Sequence, residues 1–229
     1  MASIPEAYVS WAPCYRIIAN RYPAINFFET ISADPSDWEL LLEVEQMTDP
    51  TYNIGDLSAL QQEDRLSGPG AGRILPSFTF YDPNGTRFST PSFGAYYAAI
   101  DLKTAVYETV HHRTLFMKAT NEPAQDLDQL LILANLQGQL HDIRDMKAEK
   151  PEFYDPSDYR HSQMLANELR SAGSLGFVYK SVRNLSGDCA AIWRARVLAN
   201  AREDRHLTYR WDGTKITGYF DKSNYQALL

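Results

Sequence analysis

Arg87, Tyr96, Tyr97 and Glu108 fall within one stretch, TRFSTPSFGAYYAAIDLKTAVYETVHH, and their side chains combine into a recognisable chemical set. A guanidinium pairs with pyrophosphate through a fork of donors, and a tyrosine ring stacks on a planar heterocycle. A carboxylate binds a ribose hydroxyl or stabilises an oxocarbenium ion. Together they suit a nucleotide glycoside. The same residues also fit a plainer arrangement, in which Arg87 and Glu108 form an ion pair and the tyrosines are sheet aromatics.

Other familiar chemistries fail on spacing. There is no GxxxxGK[ST] phosphate loop and no GxSxG elbow, and the GPGAG run at 68–72 lacks the strand before and the helix after that a dinucleotide fingerprint needs. His111, His112, His141, His161 and His206 include no pair three or four apart, so a helical zinc clamp is not expected and no metal is assigned. Cys14 and Cys189 lack the local pairing of metal or redox motifs and read as buried thiols, with Cys189 packing in the core rather than acting as a nucleophile.

The elements that must position these residues follow from periodicity and breakers. Asp34 to Met47 reads as a capped helix with Trp38, Leu41, Leu42 and Val44 on its apolar stripe, stopped at Asp49-Pro50. Residues 61–75 hold Gly68, Pro69, Gly70 and Gly72, a density of breakers that predicts a loop. Short strands are expected at 78–81 and 93–98 around a Pro83-Asn84-Gly85 turn. Asp101 caps a helix whose face carries Ala105, Val106, Thr109 and Val110.

Residues 130–142 alternate as a strand, and 158–173 carry an acidic start, Met164, Leu165 and Leu169, and a closing glycine, which predicts a helix. LGFVYKSV and 190–198 read as strands, and 205–220 as a hairpin about Asp212-Gly213. This order gives an α+β domain with a mixed sheet.

Composition bounds the partners. The 229 residues are 44% hydrophobic and 22% charged, enough apolar material for a core and too little bias for a disordered or collagen-like chain. A net charge of −7 repels a polyanion at long range, so nucleic acid is not expected as a direct partner, while a local basic pocket for a small anion remains compatible. No apolar run approaches the roughly 20 residues that span a bilayer. The first twenty residues lack a signal-peptide pattern, so no membrane association and a cytoplasmic home are expected.

Arg87, Tyr97 ten positions on, Glu108 eleven after that, and GFVYKSVR with Ser181 bring a family into view. R-F-S, G-x-Y-Y-A-A, A-x-x-E-T-x-x-H, D-Y-x-x-S-Q-x-L-A and Y-x-S-V-R occur in that order, and the chain from Tyr15-Arg16-Ile17 to the strand after Cys189 resembles RES-domain proteins. The resemblance implies a single domain over 1–229 with an insertion at about 18–75, and a fold similar to ADP-ribosyltransferases. It implies the toxin of a RES–Xre toxin–antitoxin module, with NAD+ as substrate rather than cofactor and ADP-ribose passed to water, phosphate or a protein target. It also implies an Xre-like DNA-binding antitoxin as partner, blocking the pocket.

Residue by residue, the resemblance implies Glu108 as the catalytic carboxylate, with Arg87 and Ser181 in the catalytic set. Arg16, Arg87, Tyr97 and Ser181 bind NAD+, with Tyr97 on the nicotinamide side. Asp188 follows Ser181 where many members carry an Asn, so it reads either as a site residue or as a turn residue. The competing class is a non-catalytic module that keeps the nucleotide or antitoxin surface without turnover.

Overall fold

The computed structural model describes residues 4–20, 60–66, 68–80 and 82–223. The expected helix at 34–47, and with it most of the 18–75 insertion, lies outside the described residues. Among the described residues, seven strands form one sheet: β1 (Glu6–Ala19), β2 (Tyr96–Ala99), β3 (Gln125–Asp142), β4 (Gly176–Lys180), β5 (Asp188–Ile192), β6 (Leu198–Trp211) and β7 (Ile216–Asp221). The same residues include the α-helices α1 (Ala71–Ile74), α2 (Pro76–Thr79), α3 (Leu102–Ala119) and α4 (Arg160–Ser171). The architecture is α+β, as the order of elements in the sequence implied.

The strand order is β1-β2-β5-β4-β3-β6-β7, and β1 also pairs with β3, so the first five strands close on one another while β6 and β7 extend the sheet. Only β3 and β4 pair in parallel among the named strands; all other ladders are antiparallel. β3 is the spine. Its Leu130, Ile132, Ala134 and Leu136 enter one core cluster and Leu131 and Leu133 the other. A strand covered on both faces reads as a continuous apolar run rather than as alternation.

β1 has no clean alternation because its parity changes midway: Val9 and Trp11 are buried, then Cys14, then Ile17 and Ala19. The β1–β3 register shifts between Trp11 and Cys14, across Pro13, which cannot donate to a ladder.

Three expectations are corrected. The 61–75 segment is not wholly a loop: a 3-10 turn covers Gln62–Asp64, and α1 starts directly after Gly70. Gly70 sits at φ 90°, and a Cβ there would meet the Ala201 carbonyl oxygen at 2.1 Å. The expected strand at 78–81 is not formed. Pro76 opens α2, Phe78 is buried in the core, and the Thr79 hydroxyl donates to the Leu75 carbonyl. Aromatic alternation imitated a strand where burial of Phe78 favours a helical turn.

The expected strand over 190–198 is two strands. β5 ends at Ile192, Trp193 donates its Nε1 to the Phe88 carbonyl at 2.7 Å, and a 3-10 turn at Ala195–Val197 turns the chain into β6. Asp64, 2% exposed, fixes that corner by pairing with Arg194 at 3.5 Å and Arg196 at 3.7 Å.

The remaining elements match within a few residues. Asp101 caps α3 by accepting from Thr104 N at 2.7 Å and Thr104 Oγ1 at 3.0 Å. β6 and β7 form the hairpin about Asp212-Gly213, with Gly213 at φ 97°. No described helix is long and apolar enough to cross a membrane.

Candidate active site

Arg87 is set in the turn that precedes β2. Thr86 N–H donates to the Ser89 carbonyl at 2.9 Å, and the Thr86 carbonyl accepts from Gln163 Nε2 of α4 at 2.9 Å. The next residue, Phe88, is fully buried between the rings of Phe177 and Tyr179, with centroids 4.9 Å and 4.8 Å away. With both neighbours fixed, the Arg87 side chain has one direction to take. Its Nη1 donates to the carbonyls of Asp155 (2.7 Å) and Phe153 (3.3 Å), and its guanidinium lies 4.5 Å from the Tyr159 ring centroid.

Tyr97 of β2 buttresses the same turn. Its hydroxyl accepts from Phe88 N–H at 2.9 Å and shares a 2.6 Å hydrogen bond with Thr86 Oγ1. Burial pushes the Tyr97 phenol above its ordinary pKa, which keeps the proton needed for that arrangement. Tyr97 lines the cavity, and its backbone carbonyl accepts from Arg16 Nη1 at 3.0 Å. Arg16, from β1, lies over the ring of fully buried Tyr96 at 4.6 Å, and burial lowers the Arg16 pKa.

Glu108 stands on α3 and is held from across the sheet. Ser181 Oγ donates to Glu108 Oε1 at 2.5 Å while accepting the N–H groups of Arg183 (3.1 Å) and Asn184 (2.8 Å). The loop after β4 is pinned against α3 by Asn184 Nδ2 donating to Thr104 Oγ1 at 2.9 Å. The approach is so close there that a Cβ on Gly187 would meet Thr104 Oγ1 at 2.1 Å. Ser181 is 1% exposed and does not line the cavity; its contact with the site runs through Glu108.

Arg16, Arg87, Tyr97 and Glu108 all line one cavity of roughly 280 Å³, so the structure brings these sequence-selected residues together. The Arg87–Glu108 ion pair of the plainer reading is not formed: among the described residues neither has an oppositely charged partner within 4.0 Å. Asp188 is drawn elsewhere, into pairs with Lys180 (2.6 Å) and Arg144 (3.1 Å). Cys189 touches the cavity, but burial raises its thiol well above the ordinary range, which leaves it a packing residue. Among the described residues, no three His, Cys, Asp or Glu side chains gather to hold a metal ion.

Sequence reasoning gave no role to Thr86, Tyr159 or Arg183, which also line the cavity. Tyr159 and Arg183 belong to the D-Y-x-x-S-Q and Y-x-S-V-R runs, so the signal was present without an assignment. Arg183 Nη2 donates to the Pro156 carbonyl at 2.8 Å and lies 2.7 Å from His111 Nε2. Burial first, then the Arg183 charge, pull the His111 pKa down to about 4, so the ring is neutral near pH 7 and its Nε2 accepts.

Chemically, the cavity lining combines an anchored carboxylate with arginines and tyrosines. That is an arrangement for holding an anionic ligand while stabilising positive charge on another part of it. The chain is similar to known proteins. "Uncharacterized protein y4oC" of Sinorhizobium fredii is 28% identical over 216 residues, covering 89% of this chain and 84% of that protein. The M. tuberculosis MbcT–MbcA toxin–antitoxin complex contains a chain that aligns with a TM-score of 0.48 at 12% identity, over 87% of this chain and 86% of that one. The RES domain family model matches residues 64–212, more than half of the sequence and the part that contributes Arg87, Tyr97, Glu108 and Ser181, and the chain therefore belongs to the RES domain family.

Proposed function

We propose that this chain is the toxin of a toxin–antitoxin module and that it cleaves the nicotinamide–ribose bond of NAD+. The observation that carries the reading is Glu108 tethered by Ser181 at 2.5 Å on the wall of a cavity that Arg16, Arg87 and Tyr97 also line. Nicotinamide in NAD+ is already a cationic leaving group, so the barrier lies in charge developing on the ribose rather than in protonating the departing base. A Glu108 carboxylate on a ribose hydroxyl would stabilise that charge, and the arginines would fix the diphosphate so that the ribose stays in place.

The cavity volume, roughly 280 Å³, is at the low end of small-molecule sites, about 300–1,000 Å³. It therefore suits the nicotinamide riboside end, with the adenosine end extending outside. Among the described residues Arg87 hydrogen-bonds through Nη1 alone, which leaves its Nε and Nη2 donors for two phosphate oxygens. ADP-ribose then passes to water, to phosphate held by the same arginines, or to a protein side chain. An Xre-like DNA-binding antitoxin would hold the enzyme inactive by placing an acidic group in this cavity.

Incubating purified protein with NAD+, with and without millimolar phosphate and in the presence of cell lysate, followed by mass spectrometry, tests the reaction and its acceptor. Free nicotinamide with ADP-ribose 1″-phosphate or ADP-ribose supports cleavage with a small acceptor, and a labelled protein supports transfer. Intact NAD+ under all three conditions contradicts the reading.

A further inference from the structure

The cavity lining contains three arginines, Arg16, Arg87 and Arg183, against one carboxylate, Glu108, and no other charged carboxylate or lysine. None of the three pairs with a carboxylate among the described residues. Arg16 is held by the Tyr97 carbonyl and the Tyr96 ring. Arg87 is held by the Asp155 and Phe153 carbonyls and the Tyr159 ring. Arg183 is held by the Pro156 carbonyl and the ring nitrogen of His111. Uncharged acceptors orient a guanidinium without cancelling its charge, so the lining holds more arginines than carboxylates inside a chain whose total is −7.

Such a site has the charge of a diphosphate's counterpart. Arg183 is placed to contribute to it, because both of its outward bonds use Nη2 and leave Nη1 and Nε without a partner among the described residues. Its backbone is fixed by the same Ser181 that anchors Glu108, so the loop that supplies the carboxylate's tether also supplies this cation. A carboxylate at position 111 would orient Arg183 equally well but would neutralise it. A histidine that accepts through Nε2 does not.

We propose that Arg183 is a further phosphate-binding residue of the cavity, and that His111 is a positioning residue that orients it without neutralising it. The proposal deepens the nucleotide reading above by assigning its diphosphate a third guanidinium, and it rests on that reading of the cavity.

The test is isothermal titration of inorganic pyrophosphate into the wild-type chain and into His111→Gln, His111→Glu and Arg183→Gln, each checked for folding by its melting temperature. Glutamine places a neutral acceptor close to where Nε2 stood. The wild type should bind, His111→Gln should stay within about threefold of it, and His111→Glu and Arg183→Gln should each weaken binding about tenfold or more, the usual scale of a lost charge-assisted contact. Equal affinity in the Gln and Glu variants at 111, unchanged affinity in Arg183→Gln, or no binding by the wild type would overturn the proposal. If His111→Glu does not fold, weak binding by Arg183→Gln with retention by His111→Gln supports it, and any other pattern overturns it. Pyrophosphate binding as expected in a protein that leaves NAD+ intact would sink the proposed reaction and leave the role of Arg183 standing.

Discussion

Replacing Ser181 by alanine separates an anchor from a ligand-binding group. The hydroxyl makes three contacts: it donates to Glu108 Oε1 at 2.5 Å and accepts from Arg183 and Asn184 N–H at 3.1 Å and 2.8 Å. A hydrogen bond to a charged group contributes roughly 1.5–3 kcal/mol, and a stranded buried donor costs about 1–3 kcal/mol. Arg183 and Asn184 are only half-buried, so water reaches their N–H groups and the lower values apply.

The expected stability loss is therefore about 2–4 kcal/mol, or roughly 5–15 °C in Tm for a domain of this size. If about half of the Glu108 tether is felt in the transition state, at about 1.4 kcal/mol per decade, kcat falls ~3–10-fold, rising to ~10–100-fold if all of it is felt. KM should rise by less than kcat falls, because Ser181 is not on the cavity wall and reaches the ligand only through Glu108 and through the backbone of Arg183. Steady-state NAD+ cleavage and a thermal melt on the same preparation give both numbers. A folded Ser181→Ala protein with wild-type kcat, or one whose loss is all in KM, would refute the anchoring role.

Three further outcomes are expected. Arg87→Lys should raise the KM for NAD+ roughly 10–100-fold in steady-state kinetics, since an ammonium cannot hold the Asp155 carbonyl, lie flat on Tyr159 and still present two aligned donors to phosphate. Stability should fall as the pH is lowered from the ordinary histidine value of 6.5 to the lowered His111 value of about 4, because there the unfolded chain binds a proton that the folded chain does not; thermal melts of His111→Gln should show a shallower slope over that window. Cys14 and Cys189, both buried and with Cys14 pushed up to about 12, should resist iodoacetamide at pH 8 in native protein and react after denaturation, as intact-mass measurement would show.

Local signals in the sequence marked those elements whose boundaries are set by local chemistry. The Asp101 cap with its helical face gave α3, and Asp212-Gly213 gave the last hairpin, because a cap and a tight turn are each encoded within a few residues. Elements decided by distant packing escaped. β1 changes parity at Pro13, and Phe78 is drawn into a helical turn by the core. The 190–198 run breaks because Trp193 reaches the Phe88 carbonyl, 105 residues away in sequence.

The site divides in the same way. Arg87, Tyr97 and Glu108 are visible from residue type and spacing, but Ser181 came into view only through the resemblance to RES-domain proteins, and its contact with Glu108, 73 positions away, only in the structure. That resemblance placed Ser181 in the pocket; the geometry places it behind the carboxylate. Arg183 was visible as a motif letter, and its importance depends on His111 and Pro156, which no spacing rule connects to it.

The most direct measurement is a time course of nicotinamide release from NAD+ by the wild-type chain and by Glu108→Gln, which keeps the shape and the Ser181 contact while removing the negative charge. The account predicts steady release by the wild type and, in a folded variant that still binds NAD+, a loss of at least ~100-fold in kcat, the scale expected when an electrostatic partner of the transition state is removed. Release at the wild-type rate by folded Glu108→Gln, or no release by either protein, would contradict it.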